Sequence, residues 1–184
     1  MIRNAGRHYS GISSSLPLSL NGTLTQGRSS TCRIAPMNVL FQLLSDQELP
    51  ALLEMMSEFY SQQEMRFDEK TARKAIHRLL EAPQHGQLYL IFRGQTLAGY
   101  FALTFCFSLE FHGRFALLDE LYLREPFRRQ KLGQGVVGFA EGICRREGVA
   151  ALRLEVGREN QPARALYQKS GFAEDARTLM TKWL

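Results

Sequence analysis

Residues 118–138 contain the side chains best suited to chemistry. An apolar run at 118–123 is followed by a basic, glycine-containing segment, and a helical pattern of apolar residues begins at about Gly133. A helix start presents unpaired N–H groups and the positive end of the helix dipole, and nearby basic side chains add to that charge. The sequence therefore predicts a site for a phosphate or pyrophosphate, with a capped helix behind a solvated basic loop as the alternative. The segment comprises Arg128, Arg129, Gln130, Lys131, Leu132, Gly133, Gln134 and Gly135.

Three glycines of this region also match a dinucleotide-binding fingerprint. Gly133, Gly135 and Gly138 spell G-x-G-x-x-G, and Glu155 lies near the distance at which that fold places its ribose-binding acid. In that fold the first glycine follows the strand directly, whereas nine residues, 124–132, intervene here. Only 46 residues follow Gly138, too few for the usual doubly wound sheet. The context therefore argues against a dinucleotide site.

Two adjacent acids interrupt the apolar run that precedes the basic segment. Side-chain alternation in a strand places Asp119 and Glu120 on opposite faces, Asp119 beside Leu121 and Glu120 beside Leu118 and Tyr122. At least one carboxylate is then predicted to face a packed or clefted environment, which is costly without a partner. The pair could bind a cationic amine and help to deprotonate it, directly or through water. A structural ion pair with a nearby Arg is the other interpretation.

The elements that must position these residues follow from hydrophobic periodicity. Asp46 and Asp68 are suited to cap the first two helices, and a hairpin pattern with Gly94 in its loop joins two strands. The predicted order is β-α-α-β-β-β-α-β-α-β, an α/β domain with a mixed sheet. Strands are predicted at 39–43, 88–92, 97–109, 115–123, 152–156 and 172–183, and helices from Asp46, from Asp68, at 133–147 and at 162–169.

The positive charge is concentrated at the amino-terminal end. The formal net charge is +5, but residues 1–36 contain four arginines and no acid, which leaves 19 basic and 18 acidic residues, a net +1, in the rest. A nearly neutral body does not predict a nucleic-acid-binding face. Residues 1–36 are rich in Ser and Gly and lack periodicity, so we expect a disordered extension ahead of a single domain at 37–184. A non-native or overextended start before Met37, a transit-type leader and a functional arm are its three interpretations.

Cysteine and histidine usage indicates neither a disulfide framework nor a metal site. Cys32, Cys106 and Cys144 are odd in number and lack metal-ligand spacing, which is typical of free thiols in a reducing cytoplasm. His77, His85 and His112 also lack ligand spacing. No stretch approaches the roughly 18 apolar residues of a membrane helix. We therefore expect no metal and no membrane association.

Two signatures in the second half of the chain resemble the GNAT superfamily of N-acetyltransferases. Residues 121–123 followed by 128–135 are similar to the family's acetyl-CoA pyrophosphate loop, in which a strand leads into Arg/Gln-x-x-Gly-x-Gly/Ala at a helix start. Residues 160–172 resemble the second signature, in which an Asn opens a helix that ends in Tyr, a basic residue, Gly and Phe. The order of the signatures and the strand between them also match.

The loop departs from the family pattern at one position. Counted from the strand, Arg128 takes the first motif position, Lys131 stands where the first Gly usually stands, and Gly133 is the second. A literal match uses Gln130, Gly133 and Gly135, but these lie two residues too far from the strand. We prefer the register counted from the strand. A Lys main chain can donate its N–H to a phosphate there, provided that the loop does not require a positive φ.

The resemblance implies a mostly antiparallel sheet flanked by helices and an acetyl-CoA-dependent N-acetyltransferase. A bulged strand would offer backbone N–H groups from Leu121, Tyr122 and Leu123 to the cofactor and the carbonyl. Asn160 would hold the pantetheine arm, unless it is a plain helix cap, and both roles are compatible. Tyr167 would protonate the departing thiolate, and its alternative is an aromatic side chain that fills the core.

The acceptor implied is a primary amine of a small molecule. Residues 111–123 most resemble the diamine (spermidine/spermine-like) branch of the family, in which Asp119 and Glu120 would act on the amine. A catalytically silent acyl-CoA-binding or regulatory module with the same fold is the alternative function. We expect a cytoplasmic protein without nucleic-acid or membrane partners. A homodimer through C-terminal edge strands is a further expectation.

Overall fold

A computed structural model describes residues 38–183 of the chain. They form one sheet in the order β1-β2-β3-β4-β5, flanked by helices. β1 to β4 pair antiparallel, and β5 pairs parallel to β4, which confirms the mixed, mostly antiparallel sheet. The elements are β1 (Val39–Leu43), α1 (Leu49–Gln62), α2 (Glu69–Glu81), β2 (Gly86–Arg93), β3 (Thr96–Ser108), β4 (Gly113–Leu123), α3 (Leu132–Arg146), β5 (Leu152–Leu154) and α4 (Gln161–Lys169), with 3-10 turns at Asp46–Glu48 and Glu125–Phe127.

Local side-chain hydrogen bonds set the starts of the first two helices. Asp68 caps α2 as expected, because its Oδ1 accepts the N–H of Thr71 at 2.7 Å. Asp46 does not cap a helix and lies inside the 3-10 turn before α1. Ser45 precedes that turn, and its N–H donates to Glu48 Oε2 at 3.2 Å. The cap of the first helical segment is therefore one residue earlier than predicted.

The sheet buries a separate apolar cluster on each face. On one face, α1 and α2 contribute Leu52, Met55 and Ile76 to a cluster that also includes Tyr100 and Tyr122 of the sheet. On the other face, apolar side chains of α3 pack against β2, β3 and β4; they are Leu132, Val136, Ala140 and Ile143. The apolar stripes of the helices therefore face the sheet, as amphipathic periodicity predicts.

The C-terminal segment differs from the prediction. No strand forms at 172–183, and β5 ends at Leu154. Ion pairs link side chains of this segment to the rest of the domain instead; they are Arg164–Glu174, Arg153–Asp175 at 3.2 Å, and Arg177–Glu110 at 2.5 Å. The side-chain composition of 172–183 was therefore not enough to make a strand, because a strand also needs a partner strand to pair with.

Several predictions concern residues outside the described part of the chain. The N-terminal extension at 1–36 and Cys32 lie there, so the domain boundary at Met37 stays a prediction. Cys106 and Cys144 are free thiols, the first exposed and the second buried. Within residues 38–183, no helix has both the length and the apolar character to cross a bilayer.

Candidate active site

β4 contains a bulge at Asp119, and the bulge decides where the acidic pair points. Leu118 pairs with Leu103 and Glu120 pairs with Ala102, so Asp119 is the extra residue. Leu118 consequently belongs to the core cluster under α3, whereas the Glu120 side chain lies on the face covered by α1. Simple alternation, which put Glu120 on the same face as Leu118, was therefore wrong.

Beyond the bulge, β4 presents an unpaired backbone edge. Its pairing with β5 ends at Leu118. The N–H of Arg124 donates to Ala98 O of β3 at 2.9 Å, and alternation along an antiparallel ladder then turns the peptide groups of Tyr122 toward β3 as well. The N–H groups of Leu121 and Leu123 point the other way, into the opening between β4 and β5. Two of the three backbone positions named from the resemblance thus face this opening.

Glu120 is a half-buried carboxylate held by two tyrosines. Tyr60 donates its hydroxyl to Oε1 at 2.7 Å, and Tyr100 donates to Oε2 at 2.8 Å. Burial raises the pKa of Glu120 above its ordinary value, although the two hydroxyl donors partly oppose this. Burial also raises the pKa values of both tyrosines, which keeps them protonated. The alternative interpretation, an ion pair between the acids and an Arg, is not present in the described residues.

Asp119 occupies a different environment from Glu120. It is exposed at the surface and lines a small open cleft with Leu117, Leu118 and Glu155, where β4 and β5 diverge. Neighbouring protein atoms nonetheless restrict its solvation enough to raise its pKa. The bulge therefore places the two acids in different environments, Asp119 at the opening and Glu120 beneath α1.

The loop after β4 has the backbone geometry of a glycine-containing turn at a position occupied by lysine. Lys131 is the N-cap of α3 and has φ 63° and ψ 6°, the left-handed conformation, and Arg129 has φ 58°. An L-residue with a side chain adopts this conformation at a cost of about 1 kcal/mol or more. The positive φ agrees with the register counted from the strand, in which Lys131 stands at the family's first Gly. The condition that the loop not require a positive φ is not met.

The start of α3 leaves main-chain donors available. Its first intrahelical bond runs from Gly135 N–H to Lys131 O at 3.1 Å, and the N–H groups of Leu132, Gly133 and Gln134 have no acceptor within residues 38–183. Exposed basic side chains of Arg129 and Lys131 adjoin them. The combination suits an anion.

Three predicted residues of this half of the site have structural contacts of their own. Gly133 is buried, and a Cβ there would lie 2.7 Å from Leu166 Cδ2, so its lack of a side chain serves the packing of α3 on α4. Gln130 Nε2 donates to Pro126 O at 2.5 Å. Asn160 is the N-cap of α4, and its Oδ1 accepts the N–H of Ala163 at 3.2 Å. The cap interpretation of Asn160 therefore applies, and its amide N–H groups are still available to donate.

Tyr167 lies within α4 with its ring packed against the cluster under α3. The ring meets that of Phe172 edge to face, with centroids 5.7 Å apart. Burial raises the pKa of its hydroxyl, which has no hydrogen-bond partner in the described chain. Tyr167 thus fills the core and also has an uncommitted O–H, so the geometry is compatible with both interpretations.

Sequence reasoning missed the partners that α1 and β3 bring to the site. Tyr60 and Tyr100 were not identified as site residues, although both hydroxyls donate to Glu120. Glu58 and Gln62 were not considered, and both contact β4 or the loop after it. The available signal was a polar row on α1, in which Glu54, Glu58 and Gln62 follow one another at intervals of four residues.

Comparisons with known proteins bear on the family and the fold of this chain. The model of the acetyltransferase (GNAT) family matches residues 49–172. An integron cassette protein from the mobile metagenome of Cole Harbour Salt Marsh is 29% identical, with a TM-score of 0.70 over 78% of this chain and 90% of that chain. No curated protein matches the chain.

Two structures of more distant sequence share the fold. A predicted acetyltransferase from Clostridium acetobutylicum with acetyl-CoA is 12% identical, with a TM-score of 0.66 over 78% of this chain and 96% of that chain. An aminoglycoside N-acetyltransferase in complex with CoA is 12% identical, with a TM-score of 0.68 over 80% of this chain and 96% of that chain. Since the family model covers more than half of the sequence, the chain belongs to the GNAT acetyltransferase family.

Proposed function

We propose that this family member transfers the acetyl group of acetyl-CoA to a primary amine of a small molecule. The observation that carries the proposal is the course of β4, whose edge is unpaired beyond Leu118 and which leads through one loop into the start of α3. One stretch of main chain therefore offers N–H groups for a thioester carbonyl and, further along, for a pyrophosphate. This is the arrangement that an acetyl-CoA co-substrate requires.

Amine acetylation sets three chemical requirements that these residues can meet. The amine nitrogen must be neutral to attack the thioester carbon, the carbonyl oxygen must be stabilised as it gains charge, and the sulfur must gain a proton when the C–S bond breaks. In the proposal, Glu120 takes the amine proton directly or through water, with Asp119 assisting at the opening. The N–H groups of Leu121 and Leu123 stabilise the oxygen. Tyr167 supplies the proton to the sulfur.

A cationic acceptor fits the surroundings of Glu120. Carboxylates attract an ammonium group, and aromatic faces add cation–π attraction. The rings of Phe59, Tyr60 and Tyr100 pack together on this face of the sheet. Burial raises the pKa of Glu120 toward neutral pH, and a general base works best when its pKa lies near the pH of the reaction. A diamine or another polyamine-like acceptor is therefore part of the proposal.

A second candidate function is acyl-CoA binding without turnover. It is favoured by one observation: both oxygens of Glu120 already accept tyrosine hydroxyls, as they would in a purely structural role. Binding without turnover needs only the β4 edge and the loop. The two functions therefore make the same prediction for cofactor binding and opposite predictions for catalysis.

One pair of measurements on the full chain separates these functions. Calorimetric titration with acetyl-CoA measures binding, and a thiol-release assay measures turnover with diamines, aminoglycosides, amino acids and peptide N-termini. The proposal expects saturable binding and amine-dependent release of CoA, greatest with cationic diamines. Binding without release for any amine would support the silent module, and absence of binding would refute both functions.

Quaternary structure and location stay predictions. The C-terminal segment forms no edge strand, so a dimer in this region would bury its exposed apolar side chains Leu179, Met180 and Trp183 instead. Sedimentation velocity of the full chain should show a dimer. A monomer at high micromolar concentration would contradict that expectation.

A further inference from the structure

The end of α1 carries polar side chains that contact β4 and the loop after it. Glu58 Oε2 accepts the hydroxyl of Tyr122 at 2.8 Å, and both carboxylate oxygens accept Arg124, at 3.1 and 2.8 Å. Gln62, one turn later, donates to the Tyr122 hydroxyl oxygen at 3.2 Å and accepts from Arg128 Nη2 at 2.6 Å. A continuous hydrogen-bond network therefore joins α1 to the loop that precedes α3.

Arg128 is held at three points by this network and by β4. Its Nε donates to Leu123 O at 2.7 Å, its Nη2 donates to Gln62, and its guanidinium lies 5.7 Å from the ring centroid of Tyr122. A guanidinium has five N–H groups in a fixed plane, so two of these contacts fix the orientation of the remaining donors. Nη1 has no partner among residues 38–183 and remains available.

The contacts of Arg128 hold the loop together next to the residues with positive φ. Leu123 ends β4 and Arg128 follows the 3-10 turn, so the bond between them ties the two ends of that turn together. Arg129 and Lys131, directly after it, both have a positive φ. Such conformations persist in non-glycine residues only where the surroundings hold them in place. Gln62 supplies the contact from outside the loop.

We propose that Gln62 is a positioning residue for the cofactor loop, acting through Arg128. By holding Arg128 against Leu123, it keeps residues 128–131 in the conformation that leaves the N–H groups at the start of α3 open. The inference rests on the proposed function, because it assumes that this loop binds the pyrophosphate of acetyl-CoA. Gln62 itself is exposed and needs no contact with either substrate.

The test compares Gln62→Leu, which removes both hydrogen bonds at similar size, with Gln62→Glu, which keeps an acceptor for Arg128. Gln63→Leu is the matched control, because Gln63 is the exposed neighbour and its side chain has no hydrogen bond in the described part of the chain. We expect Gln62→Leu to raise the KM for acetyl-CoA and its calorimetric Kd about 10-fold, equivalent to about 1.4 kcal/mol. The kcat and the amine KM should stay within about twofold, since the loop binds only one substrate. Gln62→Glu and Gln63→Leu should resemble the original protein.

A double variant tests whether the effect passes through Arg128. If it does, Gln62→Leu combined with Arg128→Leu should bind acetyl-CoA no more weakly than Arg128→Leu alone. Losses that multiply, or a Gln62→Leu variant with unchanged acetyl-CoA affinity, would overturn the inference while leaving the proposed function intact. Failure of the original protein to bind acetyl-CoA would instead refute the proposed function and, with it, this role of Gln62.

Discussion

Replacing Tyr167 with Phe removes the oxygen proposed to protonate the thiolate and keeps the ring. The ring packs in the cluster under α3 and against Phe172, and those contacts do not involve the hydroxyl. Because the hydroxyl has no hydrogen-bond partner in the described residues, its removal leaves no buried group unpaired. We expect the free energy of unfolding to change by less than about 0.5 kcal/mol, or about 2 °C in Tm.

The effect on catalysis follows from the two pKa values involved. A free thiol, the group that CoA carries, has a pKa of about 8.5, whereas burial raises the pKa of Tyr167 above its ordinary value of 10.0. Tyr167 is therefore protonated at neutral pH, but proton transfer from it to the thiolate is uphill. The loss of kcat should then be about 10- to 1,000-fold, below the 10,000-fold upper end for general acids. This corresponds to about 1.4–4 kcal/mol of activation free energy.

The assay is thiol release at saturating acetyl-CoA and amine, with the Tm of each variant measured alongside. Tyr89→Phe is the matched control, since Tyr89 is a partly buried tyrosine packed against the same cluster, and its hydroxyl bonds Gln87 away from the site. It should keep its kcat. The KM for acetyl-CoA should change little in Tyr167→Phe. Turnover of Tyr167→Phe within about twofold of the original would remove Tyr167 from the mechanism and leave water as the proton source.

Three further variants test other parts of the site. Burial raises the pKa of Glu120 from its ordinary 4.5, so the folded protein keeps a proton that the unfolded chain has released, and the free energy of unfolding falls as pH rises above about 4.5. In Glu120→Gln, the free energy of unfolding measured in urea should depend less on pH, turnover should fall, and the pH–rate profile should shift to higher pH. If the pH dependence of stability and the rates are both unchanged, Glu120 has no part in either. Lys131→Gly should raise Tm by about 2–4 °C, because glycine adopts the positive φ of this position without strain. Lys74→Gly is the control, at an exposed position within α2, and should lower Tm by a similar amount. A lower Tm for Lys131→Gly would contradict the strain argument. Gly133→Val should lower Tm because the new side chain meets Leu166, and adding Leu166→Ala should restore stability. If that folded double variant binds acetyl-CoA with unchanged affinity, the pyrophosphate does not approach the main chain closely at Gly133.

The residues of the loop and of the second signature could be located from the sequence because their signals are local. A strand, a basic segment and a helical pattern are read over neighbouring residues, and the structure places β4, the loop and α3 in that order. The cap of α2 by Asp68 is equally local. Lys131 was also identified from the sequence as a departure from the loop pattern of the family, although its positive φ is visible only in the structure.

The surroundings of the acidic pair could not be predicted in the same way. The hydroxyl of Tyr60 reaches Glu120 across 60 residues of sequence, and that of Tyr100 across 20. The predicted strand at 172–183 failed for a related reason, since a strand exists only where another strand pairs with it, and no strand pairs with this segment within residues 38–183. Such contacts depend on which elements become neighbours in the fold, and the spacing of residues along the sequence does not predict those neighbours.

The sequence by itself determined the order of elements from β1 to α4, the faces of the helices and the stretch of chain suited to an anion. Each depends on periodicity or on side-chain type within one element, and both are written in neighbouring residues. Only the tertiary structure decided that the Glu120 side chain lies beneath α1 and that the backbone N–H groups of Leu121 and Leu123 face the opening. Both follow from one extra residue, Asp119, in the register between β3 and β4. Because side chains alternate with a period of two, a single bulge moves every later side chain of the strand to the other face.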